Sequence, residues 1–259
     1  MNITISNAKS ETFSAIFQNI RAFTEHVSII FSKTGVYLQT MDSARVSIIE
    51  LKIPHTWFEG FEFTHTGDIV LGINTNILFK ILNARDKLQK IHIIWESADI
   101  LSIHFTIDDK TIFDKFFQCP LVDLETESMN IPAMDYAAEF SLQSSVFSVL
   151  MNQLKSFGDS LDIECTEENI RLSANSMESG KMSVEVKIDD LSAFTINEGE
   201  ELNLSFSLTQ LHAIAAFNKI AKEVSIGLCT NYPMSVLYRF SEDGGELRAF
   251  LAPKINADD

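Results

Sequence analysis

The stretch "FSAIFQNIRAF" (residues 13–23) returns 134 residues later as "FSVLMNQLKSF" (residues 147–157). The order is kept without a gap: Phe, Ser, three apolar residues, two amides, apolar, basic, small, Phe. Such self-similarity marks a duplicated structural unit. Outward from this stretch the register holds through Val27/Leu161, Ile29/Ile163, Val36/Ile170 and Leu38/Leu172. At an offset of 133, Ile69 and Leu71 fall on Leu202 and Leu204, and Leu78 and Ile81 on Leu211 and Ile214. Ile91, Ile93 and Trp95 then meet Val224, Ile226 and Leu228. The chain reads as two copies of one domain.

Within each copy the hydrophobic period gives the elements. Phe13, Ile16, Phe17 and Ile20 step at i, i+3, i+4, i+7, which predicts an amphipathic helix with Ser10 as its N-cap. Phe147, Leu150, Met151 and Leu154 predict the same helix in the second copy. A second helix carries Ile77, Leu78, Ile81 and Leu82, answered by Leu208, Leu211, Ile214 and Ala215. Alternating, β-branched segments lie between and after them: "VSIIF", "GVYLQ", "ARVSIIELKI", "DIVLGI", "KIHIIW" and "ILSIHFTI". Each half is expected to run β-α-β-β-β-β-β-α-β-β-β, an α+β domain. The expected boundaries are 1–118 and 136–259, with an acidic, proline-bearing connecting loop over 119–135. "DDK" (residues 108–110) reads as a hairpin turn.

The 259 residues carry a net charge of −16, from 20 basic and 36 acidic side chains. Summed over the molecule, this disfavours a polyanionic partner. Its distribution reverses that reading. The four helical windows, residues 9–26, 74–90, 143–157 and 208–222, hold nine basic residues and three acidic ones, so the remainder carries −22. The basic residues are Lys9, Arg21, Lys80, Arg85, Lys87, Lys90, Lys155, Lys219 and Lys222. Solvated helix faces usually mix both signs. A basic helical face on an acidic body suits DNA on that side alone, held with no base-reading motif.

Catalytic patterns are absent. There is no GxGxxG, Walker loop or HExxH, and the six histidines never pair at i, i+4. His92 and His104 sit in strand-like alternation. Cys119, Cys165 and Cys229 are solitary and far apart, which disfavours a disulfide framework or a zinc knuckle and suits a reducing compartment. No cofactor, metal or enzyme activity is expected, and neither a membrane span nor a signal peptide.

Three stretches carry a resemblance to the proliferating cell nuclear antigen family, the eukaryotic-type DNA sliding clamps. "GVYLQTMDSARVSIIEL" (residues 35–51) is similar to that family's strand–loop–strand. "LVDLETESMNIPAMDY" (residues 121–136) looks like its interdomain connecting loop. "FLAPKI" (residues 250–255) matches its C-terminal signature, with Phe250 where tyrosine is common. The resemblance spans the whole chain. It implies two tandem clamp domains closing head-to-tail into a homotrimeric ring, antiparallel sheets outside and two helices per domain lining the hole. The ring encircles double-stranded DNA without sequence preference. DNA polymerase, clamp loader, nuclease and ligase dock through short hydrophobic motifs.

Carried onto this chain, the DNA-facing residues are Arg21, Lys80, Arg85, Lys87, Lys155, Lys219 and Lys222. The partner pocket gathers Met41, Arg45, Val46, Ile48, Met129, Ile131, Pro132, Pro233, Phe250, Leu251, Ala252 and Pro253, with acidic Asp123, Glu125 and Glu127 beside it. "FLAPKI" is accordingly read as the rim of that pocket, because proline ends a strand and a disordered tail has no use for Phe250 and Leu251. Edge strands near 111–117 and 181–188 pair between subunits, with Phe117 packed on Leu154 and Phe157. Val149 and Asn152 stand where relatives often carry basic residues, and Glu167–Asn169 lacks the lysine that many relatives modify. The alternatives are a subunit of a heterotrimeric checkpoint clamp and a monomeric processivity factor. The expected compartment is the nucleus, or the replication compartment of a large DNA virus.

Overall fold

The computed structural model describes every residue except 98, 109–111, 125–128 and 255–259. The expected turn at 108–110 therefore falls mostly outside the described residues, as do Glu125, Glu127, Ile255 and the start of the 111–117 edge. The first half runs Asn2–Ile5 (β1), Asn7–Ile20 (α1), His26–Ser32 (β2), Gly35–Met41 (β3), Ser47–Pro54 (β4), Gly60–Glu62 (β5), Ile69–Asn74 (β6), Thr75–Asn83 (α2), Lys90–Ser97 (β7), Ile100–Thr106 (β8) and Lys115–Val122 (β9). The second runs Ala138–Gln143 (β10), Ser144–Lys155 (α3), Ser160–Cys165 (β11), Asn169–Ser176 (β12), Gly180–Lys187 (β13), Ala193–Ile196 (β14), Leu202–Ser207 (β15), Leu208–Ala215 (α4), Glu223–Leu228 (β16), Met234–Arg239 (β17) and Glu246–Leu251 (β18). The expected order holds in both halves, and the class is α+β.

The chain forms two compact units. One comprises Met1–Ser43, Ile49–Met129 and Phe240–Leu247; the other comprises Ala44–Ile48, Asn130–Arg239 and Arg248–Asp259. Each unit takes a short segment from the opposite half of the sequence. In the first unit the strand order is β4-β3-β2-β6-β9-β8-β7-β1-β5, and in the second it is β14-β10-β16-β17-β18 with a separate β13-β12-β11-β15 sheet. The ladders are antiparallel, which leaves one face of each strand for the core and the other for polar residues.

The core repeats itself as the sequence does. An apolar cavity of about 20 Å³ in the first unit is lined by Phe13, Phe17, Ile29, Val36, Leu78, Ile93 and Leu101, among others. A second of about 20 Å³ is lined by the counterparts Phe147, Met151, Ile163, Ile170, Leu211, Ile226 and Met234. Phe13 and Phe17 lie one turn apart on α1 with ring centroids 4.7 Å apart, and both are buried. Burying each contributes roughly 1.5–3 kcal/mol.

Three expectations about the elements are corrected. Helix α1 starts at Asn7 with Ser6 as N-cap, so Ser10 is interior; it is fully buried and its hydroxyl donates to the Ser6 carbonyl at 2.8 Å. Strand β4 begins at Ser47 because Arg45 turns the chain with φ of 58°, outside the extended region. Residues 119–122, assigned to the connecting loop, finish β9, where Gly72 of β6 pairs with Val122 and Cys119 is fully buried.

His92 behaves as a satisfied strand histidine. Its Nδ1 lies 3.1 Å from the Thr4 hydroxyl and its Nε2 2.7 Å from that of Thr106. Burial, then the neighbouring His104 and Lys90, hold its pKa below the ordinary 6.5. An unfolded chain therefore takes up this proton at higher pH than the folded one, and the contribution of this site to stability falls as pH drops below about 6.5. The midpoint of thermal unfolding should fall between pH 7.5 and 5.5 more steeply for the native chain than for His92→Gln. Parallel pH profiles would rule the site out as the source.

Candidate nucleic-acid interface and partner-docking segment

Helix α2 begins where the Asn74 side chain accepts from the backbone N–H groups of Asn76 and Ile77, at 3.0 and 3.1 Å. This cap fixes the helix rotation: Thr75, Leu78, Ile81 and Leu82 turn inward and Lys80 outward. Arg21, the C-cap residue of α1, stacks its guanidinium 3.7 Å from the Phe79 ring while remaining exposed. The stack orients a cation without neutralising it. Lys87 is also exposed.

The other cations of the first unit's windows have protein partners. Lys9 donates to the Trp57 carbonyl at 2.6 Å, and Lys90 is 2.6 Å from the Glu59 carboxylate. Arg85 is half-buried, with Nη1 3.0 Å from each of the Asp86, Lys87 and Gln89 carbonyls. Burial lowers its pKa. In the second unit Lys219 and Lys222 are exposed and Lys155 is half-buried. The Lys222 carbonyl receives the Ser144 N–H at the start of α3. The outward face of α3 is neutral, with Val146 and Val149 exposed alongside Asn152 and Gln153.

The chain end is part of the second unit. The Ala252 N–H donates to the Val46 carbonyl at 2.9 Å and the Lys254 N–H to the Ser205 carbonyl at 2.7 Å. Pro253 stands between these two donors, at a position where no N–H is used. The Lys254 ammonium reaches the Ser160 hydroxyl at 2.5 Å. Phe250 and Leu251 end β18 as core residues, 8% and 0% exposed, so their expected place on a pocket rim is corrected: Ala252 alone separates the strand from the proline that follows it. Ala252 and Lys254 are exposed, and Pro253 is half-buried.

In the same unit Arg45, Val46 and Pro132 are exposed, while Ile48, Ile131 and Pro233 are half-buried. Tyr232, half exposed beside Pro233 and after left-handed Asn231, was not singled out from sequence. Tyr136 packs over Gly227, where a Cβ would lie 2.7 Å from the ring. In the first unit Met41 and Met129 are half-buried. The Gln39 side chain binds the Met129 backbone twice, Nε2 to the carbonyl at 3.0 Å and Oε1 from the N–H at 2.8 Å. That two-point hold fixes one end of the acidic connecting segment. Its sequence signal was an amide within the quoted "LQTMD", on the side of β3 opposite buried Leu38 and Thr40.

Of the expected subunit-contact residues, Phe117 is half-buried with its ring 5.3 Å from Phe105, and Phe157 is half-buried. Leu154 is fully buried in its own unit and has no surface to offer, which corrects its assignment. Among the described residues no group of three or more His, Cys, Asp or Glu side chains could hold a metal ion, and no helix is long and apolar enough to cross a membrane. Cys119 and Cys165 are free and buried, and burial pushes both thiols up to about 11.

Comparison with known families matches residues 5–129 to the N-terminal domain of proliferating cell nuclear antigen and residues 130–254 to its C-terminal domain. The two matches stand in tandem over a duplicated α+β chain whose helical windows hold nine basic residues against three acidic ones. The chain therefore belongs to the proliferating cell nuclear antigen family of DNA sliding clamps.

Proposed function

We propose that three copies of the chain close into a ring around duplex DNA, where the ring serves as a polymerase processivity factor and docking platform. The observation that carries this reading is the placement of exposed Arg21, Lys80, Lys87, Lys219 and Lys222 on or beside the helices of a chain with net charge −16. The helical windows carry nine cations against three anions, so they attract phosphates, while the rest of the chain, net −22, repels them. Contacts to phosphates alone leave the ring free to slide. It works wherever that DNA is replicated, in a nucleus or a viral replication compartment. Native mass of the purified chain is the test: three times 29.1 kDa supports the ring, and a monomer overturns it.

Polymerase, loader, nuclease and ligase would dock through a short helix with apolar and aromatic plugs. In this reading they use Met41, Met129, Ile131, Pro132, Pro233 and the exposed backbone at Ala252–Pro253. Exposed Asp123 favours basic residues flanking such a motif. Replacing Ile131 with alanine should weaken binding of a labelled motif peptide by about 1–3 kcal/mol, the range for a buried anchor. Native mass should be unchanged. Equal affinities in a direct titration would remove Ile131 from the pocket.

A further inference from the structure

We propose that Arg85 is a positioning residue for DNA contact: it holds the 84–89 turn so that Lys87 meets a phosphate. The inference rests on the DNA-encircling reading above. The turn leaves α2 with its carbonyls directed at two cations. Arg85 Nη1 lies 3.0 Å from the carbonyls of Asp86, Lys87 and Gln89, while the Lys115 ammonium, reaching over from β9, lies 2.6 Å from the Ala84 carbonyl. The same ammonium pairs with the Asp86 carboxylate at 2.6 Å. Fully buried Gln89 closes the loop: its Oε1 accepts from the Asp86 N–H at 3.0 Å and its Nε2 donates to the Phe113 carbonyl at 2.9 Å.

Nη1 has two hydrogens for three carbonyl acceptors, so it has none to spare for a phosphate. Nε is buried with no partner, which leaves Arg85 only the two hydrogens of Nη2 to offer a phosphate. A phosphate competing for Nη1 would have to strip carbonyls of their donor, and leaving the part-buried Asp86 or Gln89 carbonyl unpaired is costly. With its acceptors turned inward, the turn presents Lys87 and Leu88 to solvent.

The test is a salt-stepped titration of the full-length protein with a labelled 30-base-pair duplex. Wild type is compared with Lys80→Gln, Lys87→Gln, Arg85→Lys and the Arg85→Lys/Lys87→Gln double variant. Lys87→Gln should lower the slope of log affinity against log salt by about one for each phosphate no longer met. Arg85→Lys keeps the charge and removes the planar fork. It should weaken binding about threefold in the native background and add nothing once Lys87 is gone, the signature of two residues acting as one. Additive losses would mean that Arg85 touches phosphate itself, and unchanged affinity would mean that it only shapes the turn; either overturns the proposal. An effect of Lys80→Gln with none from Lys87→Gln overturns it too, whereas no effect from either lysine sinks the DNA reading instead. Should Arg85→Lys misfold, Lys115→Met removes the other donor and is expected to show the same overlap with Lys87→Gln.

Discussion

Gly35→Ala should destabilise the protein by about 3 kcal/mol or more, enough to abolish folding of a marginal domain. Gly35 opens β3 with φ of 144°, a conformation that side chains other than hydrogen rarely adopt. A Cβ there would also lie 2.2 Å from the Ile53 carbonyl oxygen and 2.8 Å from the Pro54 Cα. Both obstacles are backbone atoms of the neighbouring strand end, so no rotamer change relieves them. The β2–β3 turn and its bond from the His55 N–H to the Thr34 carbonyl would have to open. Gly67→Ala is the matched control: nothing lies within 4 Å of its added carbon, so a change within about 0.5 kcal/mol is expected. Urea midpoints of the two variants compare them directly. Equal midpoints would show that the β2–β3 turn tolerates the extra atom.

The largest functional effect should come from Lys80→Glu. In the proposed trimer the substitution enters three times, so three cations leave the lining and three anions replace them. Removing about three phosphate contacts lowers the salt slope by roughly three and duplex affinity by about a hundredfold near 0.1 M salt. Fold and assembly should be untouched, because Lys80 is exposed on the side of α2 opposite Leu78, Ile81 and Leu82. Lys33→Glu, at an exposed turn outside the helical windows, should change affinity far less. If both variants bind duplex DNA alike, the helical cations are not its binding face.

The fold was legible because its evidence is local and doubled. The period of Phe13, Ile16, Phe17 and Ile20 declares a helix, and the recurrence at Phe147–Leu154 declares it again; the two core cavities then confirm the pairing residue by residue. The candidate sites were less legible, since exposure depends on what distant segments cover. Phe250 and Leu251 look like rim residues only until β18 is seen to run through them into the core. Leu154 fits an interface by composition, yet α3 points it inward. Arg85 and Lys80 both contribute to a basic window, but three nearby carbonyls withdraw one and leave the other outside. Gln39 escaped notice because its partner, the Met129 backbone, is 90 residues away and has no side-chain signature.

The exchange of short segments between the two units bears on how such a duplicated gene can be divided. A polypeptide ending at Met129 lacks Phe240–Leu247, and with it the Phe240 ring that meets Trp57 edge-on at 6.0 Å. A polypeptide starting at Asn130 lacks Ala44–Ile48, whose Val46 carbonyl holds the Ala252 N–H. Although the repeat boundary is the obvious place for a cut, neither product contains everything its own globule is built from. A lone copy of either half, with no second half to draw on, would have to take its missing segment from another molecule. Covalent linkage supplies each borrowed segment within the same chain, so the halves can differ in sequence and still depend on being joined.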